Sequence, residues 1–275
     1  MYKEKSELTG IIREGLKNII NSGTFQQYLS FVSKLHQYSF YNSLLIYQHN
    51  PEASHVAGYR KWQELGRQVR KGEKAIMIFA PTFKKIKSTE QESQLLGNEK
   101  EPEKKYLSGF ITVPVFDISQ TEGESVPSIV SDFGSHTELF NRFISMFSKD
   151  YEIIQQSLKS ALGGFTDGKI IVLNDSKSEE QKLKTLIHEV AHCQLSHVGN
   201  NDKPKSVKEV EAEMTAYIVS EHFGIDSSSY SFGYLTGWGK GSVDQIMDSV
   251  DIAYQTAKEI ISAIELDDKI SMQAS

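Results

Sequence analysis

His188-Glu189-Val190-Ala191-His192 is the segment of this chain that reads most directly as chemistry. On a helix, residues four apart lie one turn above each other on the same face. His188 and His192 can therefore aim an imidazole nitrogen each at one metal ion. Glu189 is close enough to take a proton from a water held there. A catalytic zinc site takes three protein ligands and keeps a position for water, so two histidines need a third donor.

A second helical segment downstream offers carboxylates. Stepping about 100° per residue from Val207 puts Glu211 inside the apolar stripe of Val210, Met214 and Ile218. Glu209 and Glu213 fall on the polar side. A carboxylate on a buried stripe is costly unless it is paired or bound to a metal, which singles out Glu211 as the third ligand. Glu221 lies near the stripe but close to the helix end. His197 is off the helical register, and Cys193 sits on another face, so both read as packing or supporting residues. Tyr217 and His222 are lesser candidates for stabilising an oxyanion. A His₂Glu set favours Zn²⁺ and also accepts Mn²⁺, Co²⁺ or Ni²⁺.

Several elements must position these groups. Gly168–Asp175 reads as a short strand, and its edge is expected to take an extended peptide. Ser178-Glu179-Glu180-Gln181 has capping-box form and opens the histidine helix. Ser206-Val207-Lys208-Glu209 has the same form and opens the next helix, which Gly224 closes. Helices are also expected over 7–20, 24–48, 136–148 and 243–266. Ala75–Ala80 and Tyr106–Phe116 read as strands flanking a polar, charged loop over 84–105. Residues 121–134 have linker composition.

The chain of 275 residues has a net charge of −6, unevenly spread. Residues 1–105 hold 17 Lys/Arg against 11 Asp/Glu, and residues 106–275 hold 13 against 25. This asymmetry suggests two modules with different partners. There is one cysteine, no apolar run of membrane-spanning length and no signal-peptide pattern, so the expected location is the cytoplasm and no membrane partner is expected. In the basic part, aromatics alternate with cations, the composition that stacks bases and follows phosphates in single-stranded DNA. The candidates are Tyr38, Phe40, Asn42, Tyr59, Arg60, Lys61, Trp62, Arg67, Arg70, Lys71 and Lys74. On composition alone, several of these aromatics also fit a protein core.

The histidine segment, followed by Glu209-Val210-Glu211-Ala212-Glu213-Met214-Thr215-Ala216-Tyr217, resembles the zincin-type domain of ImmA/IrrE and ArdC-like proteins. In that pattern the glutamate before the alanine is the third zinc ligand, which again implies Glu211. Tyr230–Trp238 resembles ArdC- and LtrC-type sequences. Tyr38-Ser39-Phe40-Tyr41-Asn42, Asn50-Pro51-Glu52-Ala53, Gly58–Gly72, Lys71-Gly72-Glu73-Lys74 and Val115–Gly123 resemble the N-terminal domain of ArdC-like antirestriction proteins. The resemblance covers most of the chain, with 84–105 as a variable insertion. It implies an α+β protein of two domains. Residues 1–125 would form a single-stranded-DNA-binding domain and 126–275 a mainly helical zincin-like metallopeptidase domain with a small sheet.

The expected function is that of an antirestriction protein of a conjugative plasmid or related mobile element, protecting transferred DNA. The alternative is a regulatory zinc endopeptidase that cleaves a repressor or restriction component, with Glu189 as general base. A third reading makes the metal a structural support of a DNA-binding protein.

Overall fold

The structure is a computed structural model that describes residues 5–85, 105–125, 134–199, 202–230, 232 and 243–273. Most of the 84–105 loop, the centre of the 121–134 linker and most of Tyr230–Trp238 lie outside the described residues. In chain order the elements are α1 (Lys5–Asn21), α2 (Phe25–Lys34), α3 (Phe40–His49), β1 (Val56–Gly58), α4 (Tyr59–Glu64), β2 (Arg67–Val69), β3 (Ile76–Lys85), β4 (Lys105–Asp117), β5 (Thr121–Gly123), α5 (His136–Phe147), β6 (Glu152–Gln156), β7 (Gly164–Thr166), β8 (Ile170–Asn174), α6 (Glu179–Gln194), α7 (Lys205–His222) and α8 (Val243–Gln273). The protein is thus α+β. It divides into two compact units, Met1–Ile12 with His55–Glu124 and Arg13–Ser54 with Ser125–Ser275. Residues 13–54, expected with the first module, therefore pack in the second unit.

In the first unit, β3 and β4 form the long antiparallel hairpin expected from their alternation, and β1 joins it in the order β1-β4-β3. A short antiparallel pair, β2-β5, lies beside this chain segment in sequence. Alternate residues Ile76, Ile78 and Val115 are buried with Val56, Val69 and Trp62. The Trp62 indole N–H donates to the Phe116 carbonyl at 2.9 Å, satisfying its one polar atom as it is buried. Gly123 has φ +132°, and a Cβ there would collide with the Gly66 carbonyl across the β2-β5 pair. A side chain at this position is excluded on both grounds.

The second unit is mainly helical around a small sheet of order β6-β8-β7, in which β6 is parallel and β7 antiparallel to β8. The strand expected over Gly168–Asp175 is therefore central, paired on both sides, and the edge strands are β6 and β7. The single helix expected over 24–48 is two helices, because Ser39 caps a new start by accepting from the Asn42 amide. Helix α7 is buried along Val210–Ser220 on almost every face, packed against α2, α6 and α8. Gly224 ends it at φ +67°, as a C′ glycine does. Among the described residues, no helix is long and apolar enough to cross a membrane.

The far ends of α2, α7 and α8 meet at a charged cluster. The Glu265 carboxylate lies 3.0 Å from His222 Nε2 and 3.7 Å from His36 Nε2. Hydrogen bonds from His222 and then His36 hold its pKa well below the ordinary carboxylate range. A depressed carboxylate pKa contributes stability above the unfolded value, lost as pH falls through the folded value. Replacing Glu265 by Gln is expected to cost about 1–3 kcal/mol at neutral pH. It should also flatten the loss of stability on acidification below the ordinary carboxylate range. Urea titrations at several pH values measure both, and parallel stability curves for the two proteins would refute the coupling.

Candidate metal centre

The strand-to-helix connection that carries the histidines is fixed locally. Asn174 ends β8 fully buried, its side-chain oxygen accepting from Ser176 and its amide donating to the Leu162 carbonyl at 2.7 Å. Ser178 then caps α6, accepting from the Gln181 amide at 3.3 Å while Gln181 accepts from the Ser178 amide. Leu183, Leu186, Ile187, Val190 and Ala191 bury one side of α6 and leave His188 and His192 along its flank. Their Nε2 atoms stand 3.1 Å apart.

The carboxylate that meets both histidines in the structure is that of Glu209. Its Oε2 lies 3.7 Å from His188 Nε2 and 3.6 Å from His192 Nε2. Among the described residues these three form the one group of His, Cys, Asp and Glu side chains with metal-binding spacing. Ligand atoms about 2.0–2.1 Å from a tetrahedral Zn²⁺ stand roughly 3.3–3.4 Å from one another, so the observed spacings fit such an ion.

Glu211, expected in this role, is placed elsewhere. It is 1% exposed, and its carboxylate accepts from Lys203 at 2.8 and 2.9 Å, Ser249 at 2.8 Å and His197 Nε2 at 2.9 Å. Along Val210–Ser220 α7 is buried on most faces, so burial alone does not separate a ligand from a paired ion. The expected capping box at Ser206 also fails. The helix starts at Lys205 behind Pro204, with no side-chain cap, and the Glu209 carboxylate turns to the histidines. His197, assigned a supporting role at most, comes back against His192, their Nδ1 atoms 3.0 Å apart. Cys193 packs by Thr166, as a residue outside the metal sphere. His222 lies in the Glu265 cluster, and the Tyr217 hydroxyl donates to the Gln26 carbonyl at 3.4 Å.

Electrostatics set the protonation states. Burial, then the neighbouring His188, lowers the His192 pKa to about 4, so its ring is neutral at pH 7. The hydrogen bond from His188 leads in lowering Glu209 to about 2. For His188 burial is the largest influence and works downward, but Glu209, Glu189 and Glu213 together raise its pKa. Burial pushes Glu189 up, opposed by His188 and helped by Glu209. Burial also acts to raise Glu211, but its hydrogen bonds from His197, Lys203 and Ser249 prevail and the net shift is downward. A neutral imidazole and an ionised carboxylate are the forms that ligate a metal.

Beside the histidines lies a cavity of about 350 Å³ lined by Gly163, Gly164, Thr185, His188, Glu189 and Tyr230, with Glu213 and Lys184 at its wall. A Cβ at Gly164 would collide with the Val172 carbonyl and the Thr185 methyl, so glycine lets β7 lie close to α6 here.

The expected DNA-contacting residues divide by burial. Phe40 is wholly buried among Tyr28, Tyr41 and Tyr254, and Trp62 is 1% exposed, so neither can stack a base. Tyr38 and Asn42 are partly buried in the second unit, where the Tyr38 carbonyl accepts from Tyr254 at 2.8 Å. Arg67 is tied to Thr121, and Arg70 to Glu73 at 2.7 Å and the Ser119 carbonyl at 2.6 Å. Tyr59, Arg60, Lys61, Lys71 and Lys74 are exposed in the first unit. Phe83 and Tyr106, on the β3-β4 hairpin, are further exposed aromatics, lying outside the mixed aromatic and basic runs of the sequence.

The model of the N-terminal domain of anti-restriction factor ArdC matches residues 7–116, and that of the IrrE N-terminal-like domain matches residues 148–221. An uncharacterized Bacillus anthracis protein, pXO2-81, is 28% identical over 88% of this chain. The chain spans about half, 47%, of that relative's length. The antirestriction ArdC protein of plasmid R388 shares the fold. Its metal-free structure has a TM-score of 0.51 and 20% identity, covering 83% of each chain. Its Mn(II)-bound structure has a TM-score of 0.52 and 19% identity, covering 82% of this chain and 85% of that one. The chain thus joins a segment matching the ArdC-type N-terminal domain to one matching the IrrE N-terminal-like domain.

Proposed function

We propose that this chain is an antirestriction-type protein that binds single-stranded DNA through its first unit and a divalent metal through His188, His192 and Glu209 of its second. The observation that carries the metal reading is the convergence of three donor atoms, 3.1–3.7 Å apart, beside a buried glutamate. The donor set suits Zn²⁺ and accepts Mn²⁺, Co²⁺ or Ni²⁺. A bound ion would acidify a water and polarise a carbonyl. Glu211 is assigned a supporting role in place of ligation. Removing Glu209 is expected to weaken Zn²⁺ and Mn²⁺ binding by more than the roughly 10–100-fold typical of outer-shell changes. Calorimetric titration of Glu209→Ala checks this, and near-native affinity would remove Glu209 from the site.

A regulatory endopeptidase is the second reading, favoured by the cavity at Glu189 and by β7 as an edge strand lining it through Gly164. An exposed strand edge can pair with an extended polypeptide. Glu189, whose proton affinity burial raises, is suited to accept a proton and return it to a leaving amine. On this reading Glu189→Gln keeps metal affinity and lowers cleavage of an unfolded polypeptide such as casein about 10²–10⁴-fold. Unchanged cleavage by the variant would remove Glu189 from the chemistry. A wild type that binds metal and cleaves nothing favours the DNA-protecting reading.

The DNA reading rests on the ArdC-type domain, the basic balance of residues 1–105 and the exposed Tyr59, Arg60, Lys61, Lys71 and Lys74. Stacking contributes about 1–3 kcal/mol per base, and phosphate contacts make affinity fall steeply with salt. Tyr59→Ala should weaken binding of a fluorescent oligonucleotide about 5- to 150-fold, while Trp62→Phe retains it. Salt-insensitive binding, or loss of affinity in a folded Trp62→Phe, would contradict this assignment.

A further inference from the structure

Beyond the three donors, α6 carries a feature with no role in ligation. The residue after its last turn, Ser196, has φ +53°, the left-handed region that non-glycine residues seldom enter. That turn sends the chain back on the helix. The His197 amide donates to the His192 carbonyl at 3.0 Å, and Lys208 holds the His197 carbonyl at 2.8 Å. As a result two rings five residues apart, which a straight helix would separate, meet through their Nδ1 atoms. The His197 side chain is 1% exposed.

We propose that Glu211 and His197 form a positioning chain that fixes the tautomer of His192, so that its Nε2 lone pair faces the metal position. The inference rests on the metal reading above only for what that lone pair serves.

The order follows from donor and acceptor counting. Glu211 receives Lys203 on both oxygens, Ser249 on one and His197 on the other. Paired with an ammonium group, its carboxylate can only accept. His197 Nε2, 2.9 Å away, must therefore carry the hydrogen, and the ring, taken with one hydrogen only, then has Nδ1 as a lone pair. That lone pair faces His192 Nδ1 at 3.0 Å. Two lone pairs at this distance repel, so His192 Nδ1 carries a hydrogen and donates. His192 Nε2 is then bare, and it is the atom aimed at His188 Nε2 and Glu209. A carboxylate commonly fixes a metal-binding histidine by direct contact. Here a second imidazole stands between the two.

The same counting explains why Glu211 is not itself a donor to the ion. Both its oxygens are already engaged, and the ring of His197 stands between it and His192.

The test uses ¹⁵N-histidine NMR of the whole, metal-free protein, with Mn²⁺ and Zn²⁺ titrations alongside. In the wild type, His192 should be the Nδ1–H tautomer and His197 the Nε2–H tautomer. His197→Phe removes the acceptor, so His192 should populate the Nε2–H form and Mn²⁺ affinity should fall about 10–100-fold. His197→Gln, which keeps a donor and an acceptor, should recover part of that loss. An Nε2–H form of His192 in the wild type overturns the proposal. So does a folded His197→Phe with an unchanged tautomer and unchanged affinity. Should His197→Phe fail to fold, the wild-type tautomers and His197→Gln decide. Wild type that binds neither ion, yet shows the predicted tautomers, overturns the metal reading and leaves the chain of hydrogen bonds standing.

Discussion

Burial of the Glu211 carboxylate is the constraint around which the second unit is arranged. Withdrawing an ionised carboxylate from water costs several kcal/mol unless its lone pairs are met. The partners that meet them come from separate elements: Lys203 from the segment before α7, Ser249 from α8 and His197 from the turn after α6. Losing any one leaves a buried charge short of partners. The cost therefore fixes how the end of α6 and the face of α8 approach α7. The candidate metal centre lies two residues back along α7, at Glu209, and inherits that geometry.

The three candidate ligands are not electrostatically alike. His192 is held neutral and Glu209 ionised, so both are ready to ligate without losing a proton. His188 is the exception, because the surrounding carboxylates favour its charged form. The direction of that shift sets a proton in competition with a metal ion at His188. Glu189 belongs to the same balance. Its burial raises its pKa, and the proton on His188 opposes that rise.

Much of the architecture was legible because period and punctuation agreed. The β3-β4 hairpin follows from alternation on both arms, and α6 from a capping box before a helical apolar face. The histidine pair is a purely local pattern and needs only α6. The third donor was not legible, because it depends on which side of α7 meets α6. A helical wheel assumes one buried face, and α7 is buried on nearly all of them. The wheel therefore points to the carboxylate deepest in the protein, while the one that meets the histidines is half-exposed. His197 was missed for a related reason. Its approach to His192 depends on a left-handed Ser196, for which a serine gives no sequence signal.

The aromatic residues make the same point at the scale of domains. The ArdC-type match runs over residues 7–116, yet residues 13–54 within it pack in the unit that holds the metal centre. Phe40 and Tyr47 sit against Tyr28 there, and the Tyr254 hydroxyl of α8 reaches the Tyr38 carbonyl. An aromatic-rich motif at 38–42 thus serves a hydrophobic core, and composition alone could not separate that use from base stacking. On the proposed DNA reading, the part of the match over 55–116 supplies the surface, and there the core takes Trp62 while the turns hold Arg67 and Arg70. Of the exposed cations among the candidates, Arg70 is tied to Glu73 and Ser119, and the others are Arg60 and three lysines. Lysine is a point charge on a flexible stem, without the planar fork that reads a base edge. A surface of that kind follows a phosphate backbone and has little means of distinguishing one sequence from another.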